Sequence, residues 1–261
     1  MNEDVRITDA GPVRTLMLDR PESKNSLTLD VNRRMIEALV DAGKNSAIRC
    51  VVLRGSGGSF CSGLDLRILS ELKGDRSQLE QNLRSLFHGL VRAIRELPKP
   101  VVALVDGHAV GFGCDLALAC DLRIATERAR FGEIFVKRGL MPDGGGTWVL
   151  PRLVGLGKAM ELLLLGDLVE PDEALRLGLV NRIVASAELD ARGTELAERL
   201  AAAPPLVVAR VKDAVYKSMT GSFDEALERE LEGQLALLGS QDFVEGLDAF
   251  FAKRPPQFRG Q

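Results

Sequence analysis

The sequence predicts an α/β protein, because strand-like and helix-like segments alternate over the first 188 residues. The clearest strand is the aliphatic run Val101–Val105, which leads into Gly107, Gly111 and Gly113. A helix is expected directly afterwards, at residues 115–120. The order of strand, glycine turn and helix start therefore forms the centre of the predicted fold.

This glycine turn suggests a chemical purpose. Glycine permits positive φ angles and lets a ligand approach the backbone closely, while the first amides of a helix point outward as free donors. Such donors stabilise a negatively charged oxygen.

The other predicted elements support the α/β assignment. A hairpin is expected around Gly11-Pro12, with Thr28 as the N-cap of the next helix, and residues 48–53 form a strand that also ends in glycine. Further expected elements are a helix over 83–97, strands at 121–125 and 179–184, and helices over 145–150, 159–165 and 172–177. Four helices close the chain at 189–202, 205–219, 222–238 and 241–251. We therefore divide the chain into a core, 1–188, and a helical region, 189–261.

Composition excludes several classes of function. A net charge of −3 gives no general attraction to nucleic acid or to acidic membranes. No apolar run reaches the roughly 18 residues of a spanning helix, and residues 1–6 lack the layout of a signal peptide. A cytoplasmic protein is the expectation.

The cysteines and glycine motifs do not indicate a metal or a nucleotide. Four cysteines, none in a Cys-x-x-Cys pair, are expected to be buried thiols, and no metal site is predicted. The segment Gly55-Ser-Gly57 resembles part of a dinucleotide fingerprint, but Phe60 stands where its third glycine belongs, and no Walker-type motif is present.

Three acidic residues are candidates for chemistry. Asp115 opens a predicted helix, where structural and catalytic roles are equally supported. Asp143 follows Met141-Pro142 in a glycine-rich turn; it is either a turn residue or a general base in an apolar pocket. Glu133 is expected to be solvated or paired with Arg130 or Lys137.

Five motifs together resemble the enoyl-CoA hydratase/isomerase (crotonase) superfamily along nearly the whole chain. They are Arg20-Pro-Glu-Ser-Lys-Asn-Ser-Leu, Phe60-Cys-Ser-Gly-Leu-Asp-Leu, the segment 99–121, Gly139-Leu-Met-Pro-Asp-Gly-Gly-Gly-Thr and the segment 245–258. The resemblance implies a spiral of ββα units with a helical C-terminal region, which covers the ligand site and assembles trimers or dimers of trimers. It also implies a coenzyme A thioester as substrate, with no separate cofactor.

The resemblance further assigns roles to individual residues. The backbone amides of Leu64 and Phe112 would bind the thioester oxygen, as two fixed donors stabilise an enolate. The residues assigned to coenzyme A are Lys24, Ser62, Asp65, Leu66 and Arg67, with Phe250 and Lys253 reaching it from an adjacent subunit. Those assigned to the acyl pocket are Phe135, His108 and Trp148.

The acid/base positions depart from the hydratase pattern. A typical hydratase has two glutamates, and these positions correspond to Asp115 and Phe135 here. Asp143 instead matches the acid/base position of isomerases in this superfamily, and one carboxylate suffices to move a proton between two carbons. The sequence therefore favours a CoA-thioester isomerase of fatty-acid or aromatic-acid breakdown, with Phe135 excluding bulk water.

Two other functions stay open. One is a hydratase that uses Asp115 and Asp143 as its pair, and the other is a catalytically idle CoA-binding subunit. Acyl specificity is expected to depend on how residues 68–90 pack.

Overall fold

The computed structural model describes residues 4–71 and 75–261. Residues 72–74, within the segment 68–90 that is expected to set acyl specificity, therefore lie outside the described residues. A six-stranded sheet has the order β1-β2-β3-β4-β6-β8, in which only β1 and β2 are antiparallel. A second, parallel pair consists of β5 and β7. The strands are β1 Val5–Ala10, β2 Val13–Leu18, β3 Cys50–Gly55, β4 Val101–Val105, β5 His108–Val110, β6 Leu122–Thr126, β7 Arg130–Gly132 and β8 Arg182–Val184.

Helices connect the strands and make up the C-terminal region. Those of the core are α1 Leu29–Lys44, α2 Leu66–Glu71, α3 Arg76–Asn82, α4 His88–Glu96, α5 Phe112–Ala119, α6 Gly146–Val154, α7 Leu156–Leu165 and α8 Pro171–Arg176. Those that follow are α9 Leu189–Ala201, α10 Pro205–Ser218, α11 Phe223–Leu238 and α12 Gln241–Ala252. A π-helical turn, Leu83–Phe87, joins α3 to α4.

The central strands bury both of their faces. Along β4, Val101, Ala103 and Val105 belong to the main core with α1, α4 and α5, whereas Val102 and Leu104 pack beneath α9. This division follows from the twofold alternation of side chains along a strand. It explains why β4 is a continuous aliphatic run.

The predicted α/β alternation is confirmed, and most boundaries differ by a few residues. The largest difference that concerns function is at α5, which begins at Phe112 rather than at Asp115. Every residue of α5 is buried, Asp115 included. All four cysteines are buried free thiols, as predicted.

The helical region is attached to the core through buried charge. The Nζ atom of Lys212, on α10, donates to Asp121 Oδ2 at 2.8 Å and to the carbonyl oxygens of Ile94 and Lys99. Tyr216 donates its hydroxyl to the same aspartate. These bonds hold α10 at the amino-terminal side of β4, where Asp121 also accepts from the Val101 amide.

No helix within the described ranges combines the length and the apolar character that crossing a bilayer requires.

We expect Lys212→Met to lower the free energy of unfolding by about 3 kcal/mol, because it leaves the Asp121 carboxylate without its cation in a mostly buried position. The Lys212 side chain is only 8% exposed. Urea unfolding measures the loss. The matched control is Lys217→Met on the same helix, which removes an exposed pair with Asp213 and should change stability by less than about 0.5 kcal/mol. Equal losses in the two variants would contradict this account of how α10 is held.

Candidate active site

A cavity of about 440 Å³ lies between α5, the loop after β3 and the loop before α6. Its walls are mostly apolar and include two turns rich in glycine. The lining residues are Ser26, Ser62, Gly63, Leu64, Asp65, Leu66, Leu79, Leu83, Gly111, Phe112, Ile134, Phe135, Arg138, Leu140, Met141 and Asp143. A cavity of this volume is suited to a small organic group.

The first turn presents the Leu64 amide to the cavity. Leu27 forms a parallel bridge with Leu64: its amide donates to the Gly63 carbonyl at 2.8 Å, and its own carbonyl accepts from the Asp65 amide at 3.0 Å. In such a bridge the peptide groups on either side of the central residue are used, and the amide of the central residue points the other way. The Leu64 amide donates a hydrogen bond to no described residue.

The second turn presents the Phe112 amide, at the first position of α5. Gly111 has a φ of +56°, which lets the chain turn sharply from β5 into the helix. The first amides of a helix have no acceptor within the helix, and the Phe112 amide has none elsewhere in the described residues.

The two turns touch each other. A Cβ atom on Gly63 would lie 3.1 Å from the Phe112 nitrogen, and one on Gly113 would collide with the Cys61 carbonyl. Glycine at both positions therefore allows the two loops to approach closely. As a result, two unused amide donors stand next to each other on one wall of the cavity.

Asp143 lies on the wall of the same cavity and is half-buried. Its Oδ1 atom is buried and accepts no hydrogen bond from any described residue. Burial raises the pKa of Asp143 to about 6. The cavity thus contains a carboxylate with an unused oxygen and a pKa near neutrality.

Asp115 is placed behind the cavity rather than on its wall. It is 2% exposed, and its Oδ2 accepts from the Gly144 amide at 2.9 Å. Through this bond the first turn of α5 holds the loop that carries Asp143. Burial also raises the pKa of Asp115.

The expectation for Glu133 was wrong. Its side chain is not solvated but buried, at 2% exposure, and it forms no ion pair with any described residue. Arg130 pairs with Glu170, and Lys137 pairs with Asp167. Because β7 ends at Gly132, directly before this residue, the chain turns Glu133 inward toward α5.

The residues assigned to coenzyme A, apart from Phe250 and Lys253, lie on or beside an exposed part of the cavity wall, which we call its mouth. Ser62, Asp65 and Leu66 line it, and the Ser62 amide donates to the carbonyl of Lys24, which is exposed there. The Arg67 guanidinium donates two hydrogen bonds to Asp65, at 2.6 and 2.9 Å, and the Arg67 backbone amide donates a third at 3.2 Å. That pairing lowers the pKa of Asp65, so its charge is already balanced by arginine.

The three residues assigned to the acyl pocket do not lie together in the structure. Phe135 lines the cavity, and His108 and Trp148 are not among its lining residues. Trp148 lies between the guanidinium groups of Arg95 and Arg152, at 4.6 and 4.0 Å from its ring centre. His108 has its pKa lowered by burial and by nearby cations.

Phe250 and Lys253, on and just after α12, do not line the cavity of their own chain. Phe250 is exposed. Their approach to a neighbouring subunit stays a prediction.

Sequence reasoning missed much of the apolar wall. The residues not identified are Ile134, Leu140, Met141 and Arg138, whereas Leu79 and Leu83 lie within the segment 68–90 that was expected to set acyl specificity. The sequence shows them only as ordinary apolar or charged residues, because their approach depends on how α3 packs against the loop before α6. Glu133 had one detectable signal, a carboxylate between Phe131-Gly132 and Phe135.

The chain is similar over nearly its whole length to known proteins. The family model "Enoyl-CoA hydratase/isomerase" matches residues 9–261. A 1,2-epoxyphenylacetyl-CoA isomerase of Escherichia coli is 38% identical, with 95% of each chain covered, and a crotonyl-CoA hydratase of Syntrophomonas wolfei is 34% identical, with 98% of each covered. The crystal structure of an enoyl-CoA hydratase from Bacillus anthracis has a TM-score of 0.94 at 32% identity, covering 99% of this chain and 100% of that one.

These matches confirm the expected crotonase fold with its helical C-terminal region. Because they extend over nearly the whole chain, the protein belongs to the enoyl-CoA hydratase/isomerase family and is an acyl-CoA enzyme of that family.

Proposed function

We propose that this protein is a CoA-thioester isomerase, which moves a double bond along the acyl group with Asp143 as acid and base. The observation that supports it most is the unpaired Oδ1 of Asp143, on the wall of the cavity that also holds the free Leu64 and Phe112 amides. One relative has an isomerase name, which agrees with the proposal.

The reaction begins with binding of a 3-enoyl thioester whose carbonyl oxygen accepts from both amides. Asp143 removes a proton from C2, and the electron pair of that C–H bond forms a dienolate with negative charge on the thioester oxygen. The two donors stabilise this charge because they are fixed in a site that excludes water. Asp143 then returns the proton to C4, which leaves the double bond between C2 and C3.

The pKa of Asp143 suits both halves of this cycle. With a value near 6, the group is mostly a carboxylate at neutral pH and so can accept the proton. Once protonated, Asp143 is a weaker acid than an ordinary aspartic acid, but it is still acidic enough to return the proton to the dienolate. Phe135 and the aliphatic walls limit the access of bulk water.

Asp115 has a supporting role in this proposal. Its bond to the Gly144 amide keeps the loop in place, and its absence from the cavity wall argues against direct contact with substrate. For the same reason a hydratase that uses Asp115 and Asp143 as a pair has less support. Hydratase names among the relatives keep it as the alternative to be tested.

The remaining assignments belong to the same proposal. Lys24 and Arg67, at the mouth beside Ser62 and Asp65, would meet the nucleotide end of coenzyme A. Assembly as a trimer or a dimer of trimers would bring Phe250 and Lys253 to this mouth in an adjacent subunit. An exposed apolar stripe on α11 supports self-association; it consists of Phe223, Leu227, Leu231 and Leu235.

We expect Asp143→Asn to lower kcat about a thousandfold on a 3-enoyl-CoA, with little change in KM, because an amide cannot accept the C2 proton. The rise in absorbance of the conjugated 2-enoyl thioester measures turnover. Asp172→Asn, at an exposed position in α8, is the matched control and should retain full activity. If Asp143→Asn kept wild-type turnover, the proposed acid/base role would be wrong.

Incubation in ¹⁸O-labelled water distinguishes the three possible functions. An isomerase converts the 3-enoyl to the 2-enoyl thioester and yields no labelled hydroxyacyl product, whereas a hydratase incorporates the label when given a 2-enoyl-CoA. Acyl-CoA binding without hydrogen exchange at C2 would instead indicate an idle subunit.

The pH dependence should report Asp143 directly. As pH falls below about 6, the carboxylate becomes protonated, so kcat/KM is expected to fall about tenfold for each further pH unit. Steady-state rates are compared with intrinsic fluorescence at each pH, so that unfolding is recognised. A rate that stays constant through this range in the folded enzyme would rule out a base with this pKa.

Gly63→Ala tests the paired amides. The new methyl group would lie 3.0 Å from the Val110 carbonyl and 3.1 Å from the Phe112 nitrogen, at a residue with a φ of +90°. Displacement of one donor should lower kcat about a hundredfold. Gly157→Ala, in α7 with open space around it, should leave kcat unchanged. Equal activity of both variants, with Gly63→Ala shown to be folded by circular dichroism, would contradict the assignment.

A further inference from the structure

Glu133 is buried behind the loop of Asp143, and nothing in the proposed reaction uses it. It follows β7 and its carboxyl group faces the start of α5, where Cys114 and Asp115 lie. Like Asp115, it is 2% exposed. A buried carboxyl group in this position requires an explanation, because a buried charge is costly unless it is paired.

Glycine at position 146 brings the two carboxyl groups together. A Cβ atom built there would lie 2.5 Å from Asp115 Oδ1 and 3.1 Å from Glu133 Oε1. The two oxygens are therefore at most about 5.6 Å apart. This separation allows a direct hydrogen bond after a small side-chain rotation, or a link through one water molecule.

The hydrogen-bond partners of the two groups are unequal. Asp115 Oδ2 accepts from the Gly144 amide, whereas Asp115 Oδ1 and both oxygens of Glu133 accept no hydrogen bond of ordinary geometry from the described residues. The Cys114 thiol also faces Glu133, but a thiol is a weak donor.

No described cation balances this group of acids. The ion pairs found in the described ranges do not include Asp115, Glu133 or Asp143. The titratable groups that face Glu133 are Asp115 and Cys114 from α5 and Asp143 from the loop before α6. Two carboxylates this close in a buried site repel each other, so one of them holds a proton.

We propose that Asp115 and Glu133 share a single proton, which resides on Glu133, so that its carboxyl O–H donates to Asp115 Oδ1 directly or through one water. Asp115 stays ionised because it has the Gly144 amide as a donor. Glu133 is thus a positioning residue: it holds Asp115, and Asp115 holds the loop of Asp143. Only the effect of Glu133 on turnover rests on the proposed function.

The electrostatics agree with this assignment. Burial and the neighbouring Asp115 carboxylate raise the pKa of Glu133 well above its ordinary value. An acid whose pKa is higher in the folded than in the unfolded state binds more protons when folded. Its contribution to stability therefore falls as pH rises from the unfolded pKa toward the folded one.

Glu133→Gln and Glu133→Met test the proposal in the intact chain. Glutamine keeps the shape and an N–H donor for Asp115 but cannot ionise; methionine keeps the length and removes the donor. We expect Glu133→Gln to retain kcat within about twofold, and Glu133→Met to lose about tenfold in kcat with KM unchanged, since the cavity wall is untouched.

Two measurements do not depend on any catalytic activity. The infrared carbonyl band of a protonated carboxyl group, which shifts in D₂O, should be present in the wild type at neutral pH and absent in Glu133→Gln. Urea unfolding between about pH 5 and about pH 9 should show a fall in stability with rising pH that is smaller in Glu133→Gln.

An infrared band that persists in Glu133→Gln, or an unchanged dependence of stability on pH, would overturn the proposal. It would also be overturned if the glutamine and methionine variants lost activity equally. If no isomerase activity is found at all, the infrared and unfolding results still decide whether Glu133 holds the proton, so the two proposals fail separately.

Discussion

The site depends on the burial of the first turn of α5 between two loops. Close contact at Gly63 and Gly113 fixes this turn against the loop after β3, so that the Leu64 and Phe112 amides lie close together among the residues that line one cavity. In the same helical turn, Asp115 accepts from the Gly144 amide and fixes the second loop. A single rigid helix therefore sets the distance between the donors and the carboxylate of Asp143.

The electrostatics of the site depend on which of its carboxyl groups have a cationic partner. Asp65, which also lines the cavity, is paired with Arg67, and this pairing lowers the pKa of Asp65. Asp143 and Glu133 have no such partner in the described residues, and burial raises the pKa of each. The proposed base, Asp143, thus has a pKa near neutrality and lies at the cavity wall, and the proposed protonated acid, Glu133, lies behind it.

The same arrangement bears on the choice between isomerisation and hydration. Water addition requires two polar groups that face the substrate, one to activate water and one to donate a proton. Here one acidic position is occupied by Phe135, and Asp115 turns away from the cavity toward Gly144. Asp143, a lining carboxylate that no described cation pairs, and the apolar walls support the proposed proton transfer between carbons rather than the binding of a reactive water.

Local patterns of side chains predicted the alternation of strands and helices, the glycine turn after β4, the N-cap at Thr28 and the family. Motifs with fixed spacing also indicated Asp143 and the two amides. Three placements became visible only in the folded chain: Asp115 lies behind the wall, Glu133 is buried beside it, and Trp148 packs between two arginines. The orientation of a side chain depends on which distant segments cover it, and neighbours along the chain do not record that.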